Sequence, residues 1–179
     1  MSMNRNLLAA TASLMLIAGT AFAADKSAGQ TVDDSTLASK TKAALIENQA
    51  VPGRDINVEA NKGRVLLGGM LENDAQKKAA LATAAGAAGG SANVIDGLVV
   101  VAKDRSMGVT LDDTTIQTKL KAELLDKLGQ GISINTEVRR GEALMSGFVN
   151  LESTKTKAGE IAKGISGVKK VHNKLVVAK

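Results

Sequence analysis

Asp33-Asp34-Ser35-Thr36-Leu37-Ala38-Ser39-Lys40-Thr41-Lys42-Ala43-Ala44-Leu45 returns 79 residues later as Asp112-Asp113-Thr114-Thr115-Ile116-Gln117-Thr118-Lys119-Leu120-Lys121-Ala122-Glu123-Leu124. From Asp33 to Asn48, seven of sixteen positions are identical at that offset and five more are close substitutions; chance gives roughly one identity, so this is a duplicated unit. The copies keep step further on. Ile56-Asn57-Val58-Glu59 with Gly63 is matched by Ile134-Asn135-Thr136-Glu137 with Gly141, and Val94-Ile95-Asp96-Gly97-Leu98-Val99-Val100 by Val171-His172-Asn173-Lys174-Leu175-Val176-Val177. The repeat spans 33–103 and 112–179, leaving a tail at 24–32 and a linker at 104–111. Two small modules are therefore expected. Modules of this size bury only about 60% of the surface their unfolded chains expose, so packing of the two copies against each other would help both.

Each copy opens with an acidic and hydroxyl cluster, a composition that suits the cap of a helix N-terminus. Ile116, Leu120 and Leu124 follow at four-residue steps, as do Leu37, Thr41 and Leu45, which predicts an amphipathic helix. Ile56, Val58 and Ala60, or Ile134, Thr136 and Val138, alternate as in a strand; Asn61-Lys62-Gly63 and Arg139-Arg140-Gly141 then supply a tight turn. On the returning strand Val65, Leu67, Gly69 and Leu71 share a face, matched by Ala143, Met145, Gly147 and Val149. The glycine in that row predicts either a close approach of a helix to the sheet or a bulge. A second helix begins near Asp74 or Glu152, with Ala158, Ile161, Ala162 and Ile165 on its inner side, and Gly164 and Gly167 lead into a third strand. The order is α-β-β-α-β.

That order, the G-x-V-x-L-x-G run from Gly63 to Gly69 and the closing G-V-x-x-V-x-N-x-L-x-V from Gly167 to Val177 resemble the BON domain family. Two copies behind an export signal are similar to the two-module branch of that family, whose members serve the periplasm under osmotic stress. The resemblance implies an α+β fold of two tandem BON modules, each a three-stranded mixed sheet with two helices packed on one face. It further implies a non-enzymatic envelope module, without cofactor, that associates with phospholipid surfaces or with envelope proteins and is sometimes chaperone-like. Both copies depart from the pattern. Ala143 and Met145 stand where Val and Leu are usual, and Gly90-Ser91 stands for Gly-Val after an Ala/Gly run from Ala84 that weakens the second helix of copy one.

Residues 1–23 carry a secretory signal: Arg5, an uncharged apolar run from Leu7 to Ala18, then Ala21-Phe22-Ala23, with cleavage expected after Ala23 and a periplasmic location. Cysteine is absent, so neither a lipid tether at the cleavage site nor a disulfide is available. No Trp or Tyr occurs and Phe148 is the only Phe after the signal, leaving no stacking platform for bases; nucleic acid is not an expected partner. One His and no Cys make a poor inventory for catalysis, and no metal site is expected. His172, in strand alternation with Lys170 and Lys174, reads as a solvated polar residue on the outer sheet face.

Charge divides unevenly. Residues 24–103 hold nine basic and nine acidic side chains, whereas 104–179 hold thirteen and nine, which makes copy two the candidate for an anionic membrane surface. Its candidate lipid-binding residues are Arg139, Arg140, Lys169, Lys170 and Lys174, with Lys119, Lys121 and Lys127 as an alternative basic face on the first helix. A candidate apolar interaction face on the outer side of the sheets comprises Leu66, Met70, Ile95 and Val99 in copy one and Leu144, Phe148 and Val176 in copy two. Such a patch requires a cover, which is either the sister copy or a client protein or lipid. Two functions are thus in view: peripheral binding to anionic phospholipid, or a periplasmic holdase that uses the apolar face.

Overall fold

A computed structural model describes residues 28–102, 107–129 and 133–178; the expected signal at 1–23 and the first residues of the tail lie outside them. The first copy runs α1 (Ala28–Glu47), β1 (Asn57–Asn61), β2 (Arg64–Leu71), α2 (Asp74–Ala87) and β3 (Val94–Val100). The second runs α3 (Met107–Leu128), β4 (Asn135–Arg139), β5 (Glu142–Val149), α4 (Glu152–Gly164) and β6 (Lys170–Val177). In each copy the second strand is central, antiparallel to the first and parallel to the third, as in Val58↔Leu67 and Leu67↔Asp96. The parallel pair needs a crossover, which α2 and α4 supply.

Strand alternation sends one face of each sheet into its helices. Leu45, Ile56, Val65, Leu67, Leu71, Ala80, Ala84 and Leu98 form the first core; Ile116, Leu120, Leu124, Val138, Ala143, Met145, Val149, Ala158, Ile161, Ala162 and Leu175 are the buried members of the second. The Ala-rich stretch of α2 has a use here. Ala80 and Ala84 are fully buried, so their small side chains let the helix lie close to the sheet, and α2 continues through Gly86 to Ala87. Asn73 caps its start by accepting from the Gln76 N–H at 2.9 Å.

The first helix of each copy differs from the expectation. Both α1 and α3 begin ahead of the acidic pair, at Ala28 and Met107, so part of the expected tail and linker is helical and the pair lies inside the helix. Its second member serves the hairpin instead. The Asp34 carboxylate accepts from the N–H groups of Lys62 and Gly63 at 2.9 and 2.8 Å, and Asp113 does the same for Arg140 and Gly141 at 2.7 and 2.8 Å. Both turn residues have positive φ in each copy, 50° and 75° for Lys62-Gly63 and 56° and 75° for Arg140-Gly141, the geometry of a two-residue type I′ turn. Such a turn aims two successive N–H groups the same way, and a carboxylate grips both. Asp34→Ala would leave two donors without this acceptor in a site only 5% exposed. Unfolding in urea followed by far-UV circular dichroism should show a loss on the order of 2–4 kcal/mol.

The central-strand glycine also differs from expectation. A Cβ at Gly147 would lie 2.6 Å from the Ser133 carbonyl oxygen, and one at Gly69 would lie 3.1 Å from that of Asp55. The segment leading into the first strand makes the close approach, not a helix. Gly147, at φ 140°, is in a conformation that other residues rarely adopt.

Candidate functional site

The outer faces of the two sheets meet, with β2 lying across β5. At the crossing, Gly68 faces Ser146: a Cβ on Gly68 would sit 2.0 Å from the Ser146 Oγ. These two residues occupy the same position in the two copies, so the contact has approximate twofold symmetry. Met70, Val99, Val101 and Leu144 form an apolar cluster there, each at most 8% exposed. Of the candidate apolar face, Leu66, Met70, Val99 and Leu144 are therefore buried, while Ile95, Phe148 and Val176 are half-buried. The structure does not present them as one open surface.

Two glutamates, also at equivalent positions, reach across this contact. β1 begins opposite Gly68, so Met70 has no β1 partner; its N–H instead donates to Glu137 Oε2 of the other module at 2.9 Å. In return the Phe148 N–H donates to Glu59 Oε2 at 3.3 Å, and the Asn135 amide donates to Glu59 Oε1. Each carboxylate replaces a strand carbonyl that the short first strand cannot supply. Burial pushes both carboxyls above the usual range. The Phe148 N–H and Asn135 oppose this at Glu59, and the Met70 N–H and Arg139 oppose it at Glu137. Nothing in the sequence alone marked these residues, because a strand glutamate on an outer face reads as solvated.

The basic candidates scatter. Arg139 is committed to the module contact: its side chain is 14% exposed, Nη1 donates to the Val101 carbonyl at 3.0 Å and Nη2 pairs with Glu137 at 2.9 Å. Lys170 pairs with Glu142 at 3.6 Å and Lys174 is half-buried. Arg140 and Lys169 remain exposed and line a depression with Lys119, Asp112 and Asp113. His172 is not solvated as expected. Its side chain is 14% exposed, with Nε2 2.6 Å from Glu142 Oε2, and this contact, with burial opposing, holds the Glu142 carboxyl below its ordinary range.

The copies also differ near the end of the first helix. In copy one the Lys42 ammonium donates to the carbonyls of Gly53, Arg54 and Ile56 at 2.8, 3.0 and 2.6 Å, and Val51 of the same loop is buried. Burial holds the Lys42 amine below its usual range, with Asp55 opposing. The equivalent Lys121 of copy two is exposed, beside a cleft of about 160 Å³ lined by Leu124, Leu125, Leu128, Ile134 and Thr136. Leu125 is 55% exposed at this cleft, and the Thr136 hydroxyl is buried without a hydrogen-bond partner. Among the described residues no helix is long and apolar enough to cross a membrane, and no three His, Cys, Asp or Glu side chains gather as a metal site.

Comparison with known proteins matches residues 33–102 and 112–179 to the family model described as the BON domain. The chain is 34% identical over 149 residues to the osmotically-inducible protein Y of Escherichia coli, covering 82% of this chain and 74% of that one. It is 30% identical over 148 residues to the outer membrane lipoprotein DolP of Haemophilus influenzae, covering 82% and 75%. Among solved structures, CdsD, a structural protein of the type III secretion system of Chlamydia trachomatis, aligns with 15% identity and a TM-score of 0.33. That alignment covers 80% of this chain but only 62% of the other, less than two thirds of its length.

Proposed function

The chain belongs to the BON domain family, with two copies in tandem, and from that premise we propose an envelope protein of the osmotic-stress type that binds anionic phospholipid surfaces peripherally through its second module. The proposed setting is the periplasm, after removal of the signal at Ala23, and the role is binding rather than catalysis. One relative is named for osmotic induction and the other as an outer membrane lipoprotein, which supports the setting.

The observation that carries the membrane reading is Leu125, 55% exposed beside the apolar cleft, with Lys121 one helical turn away on the same face. An apolar side chain that can enter the acyl boundary, flanked by a lysine whose ammonium can stay among the headgroups, is the composition of an interfacial helix. Lys119, Arg140 and Lys169 are exposed around a separate depression of the same module and would add roughly 1 kcal/mol each near an anionic surface. The sheet faces favour the holdase reading less, because the other module already covers most of their apolar residues.

Co-sedimentation with vesicles tests this directly. Residues 24–179 should pellet with phosphatidylglycerol-containing vesicles at low salt, less so at physiological salt, and not with purely phosphatidylcholine vesicles. Leu125→Glu should weaken that binding about tenfold or more, since a leucine withdrawn from water contributes about 1.5–3 kcal/mol. Replacing Lys119, Lys121, Arg140 and Lys169 with Gln should remove the salt-sensitive part. Full binding by both variants would overturn the assignment to these residues of the second module, and no binding to either vesicle would pass the role to protein clients.

A further inference from the structure

The two halves of the cross-module contact are alike in geometry but not in charge. Glu137 has Arg139 two residues along β4, with its guanidinium 2.9 Å from the carboxylate. The position equivalent to Arg139 in copy one is Asn61, which brings no charge. Glu59 therefore sits between the sheets with only neutral donors, the Phe148 N–H and the Asn135 amide, and no ion pair to a described cation.

The surroundings of Glu59 offer little else that could balance it. From β5 it faces the Gly147 backbone and the Phe148 N–H; the only charged side chain of that strand, Glu142, lies at the far end with His172 and Lys170. From β4 it faces Asn135, with Glu137 and Arg139 beyond. On its own sheet the residue opposite is Leu66, with the exposed Arg64 one outer-face position along β2. Lys174 lies on β6 beside Ser146, and neither Arg64 nor Lys174 is paired with Glu59, while Asp55 at the entrance to β1 acts on Glu137.

We propose that Glu59 is a proton-sensitive latch between the two modules: docking of the sheets takes up a proton at this carboxyl, so acidification tightens the contact and alkalinisation loosens it. The physical cause is asymmetric desolvation. Docking removes water from both glutamates, but only Glu137 has a guanidinium to replace it. Glu59 recovers hydrogen bonds without a countercharge, and its neutral form, which still accepts through the carbonyl oxygen, loses less on docking than the carboxylate does.

The sign follows from linkage. Burial raises the Glu59 carboxyl above its free value of 4.5, so the docked form binds the proton more tightly than the separated form. The gain is complete below the free value and vanishes as pH rises through the docked value, the reverse of a carboxylate held by a cation. Loosening at the alkaline side would uncover Met70, Val99, Val101 and Leu144.

Amide hydrogen exchange in the full mature chain reads this at the bond itself. After correction for intrinsic chemistry, protection of the Phe148 N–H should rise several-fold between pH 7.5 and pH 5, with about tenfold corresponding to each unit by which docking raises the carboxyl. Glu59→Gln keeps an acceptor and removes the charge, and Asn135 can turn its amide to suit. It should show high protection of the Phe148 N–H with a clearly smaller pH dependence than the wild type, the remainder coming from Glu137. Asn61→Arg, which copies the arrangement around Glu137, should flatten the profile while retaining the carboxylate. Glu137 and Glu142 are unchanged in all three proteins, so differences between them isolate Glu59. A Glu59→Gln profile that parallels the wild type, or wild-type protection that does not change with pH, would overturn the latch.

Discussion

Replacing Gly68 with valine is expected to separate the two modules while leaving each of them folded. A Cβ at this position would lie 2.0 Å from the Ser146 Oγ and 2.5 Å from its Cβ. The hydroxyl can rotate away, but the Cβ belongs to a central strand that is hydrogen-bonded on both sides and cannot retreat without carrying its sheet along. Valine adds two methyl groups to that conflict. Inside its own module, Gly68 is paired with Asn57 and Gly97, and the clash is with the other sheet. The amide protons of Met70 and Phe148 should accordingly lose most of their protection, because their acceptors belong to the opposite module. Amides whose partners lie within one sheet should keep theirs. Dye binding should increase as Met70, Val99, Val101 and Leu144 reach water. Gly68→Ala should produce a milder version, and adding Ser146→Gly, which moves the missing side chain from one copy to the other, should restore the contact. If Gly68→Val leaves both amides protected, the sheets do not rely on this crossing.

Leu120→Ala should unfold the second module near body temperature. Leu120 is fully buried in the module core with Leu124, Met145, Val149 and Ala162. Truncation of a buried leucine removes about 2–5 kcal/mol, more where the site cannot collapse. A module of this size has roughly 3–5 kcal/mol in total from its core. The equivalent residue in copy one is Thr41, whose hydroxyl donates to the Leu37 carbonyl at 2.8 Å, so the first module shows what a polar replacement requires there. Alanine offers neither the volume nor the hydrogen bond. With no Trp or Tyr in the chain, the loss is best followed by far-UV circular dichroism or by methyl resonances of the valine and leucine side chains. Helix signal should fall in two steps, the first from α3 and α4. A single wild-type-like transition would mean that contact between the modules compensates for the lost core.

The sequence could be read as far as it was because its two copies could be compared. Strand alternation in Ile56-Val58-Ala60 and Val65-Leu67-Leu71, the turn glycines Gly63 and Gly141 and the buried row Ala158-Ile161-Ala162 depend on period and local stereochemistry, which a single chain displays. The same signals misplaced Asp34 and Asp113. A carboxylate near a helix start has a local use as a cap, but the hairpin 28 residues away offered it two aligned donors instead, and sequence spacing carries no record of that distance.

The surfaces were harder to read for a related reason. Arg139 and Lys170 alternate correctly with the outer face, but an outer face in the sequence is only a face turned away from its own helices; whether water or a second sheet lies beyond it depends on packing. Glu59, Glu137 and His172 lie on that same ambiguous side.

By itself, then, the amino-acid sequence determined the duplication, the α-β-β-α-β order and the apolar rows that build two cores, because these arise from interactions between near neighbours along the chain. The tertiary structure alone decided that Gly68 meets Ser146, that each half-buried glutamate serves the other module's backbone, and that Leu125 stays in water while Leu66 and Leu144 do not. Those outcomes depend on which desolvated groups meet between segments that are distant in sequence, where burial of apolar area and replacement of lost hydration act.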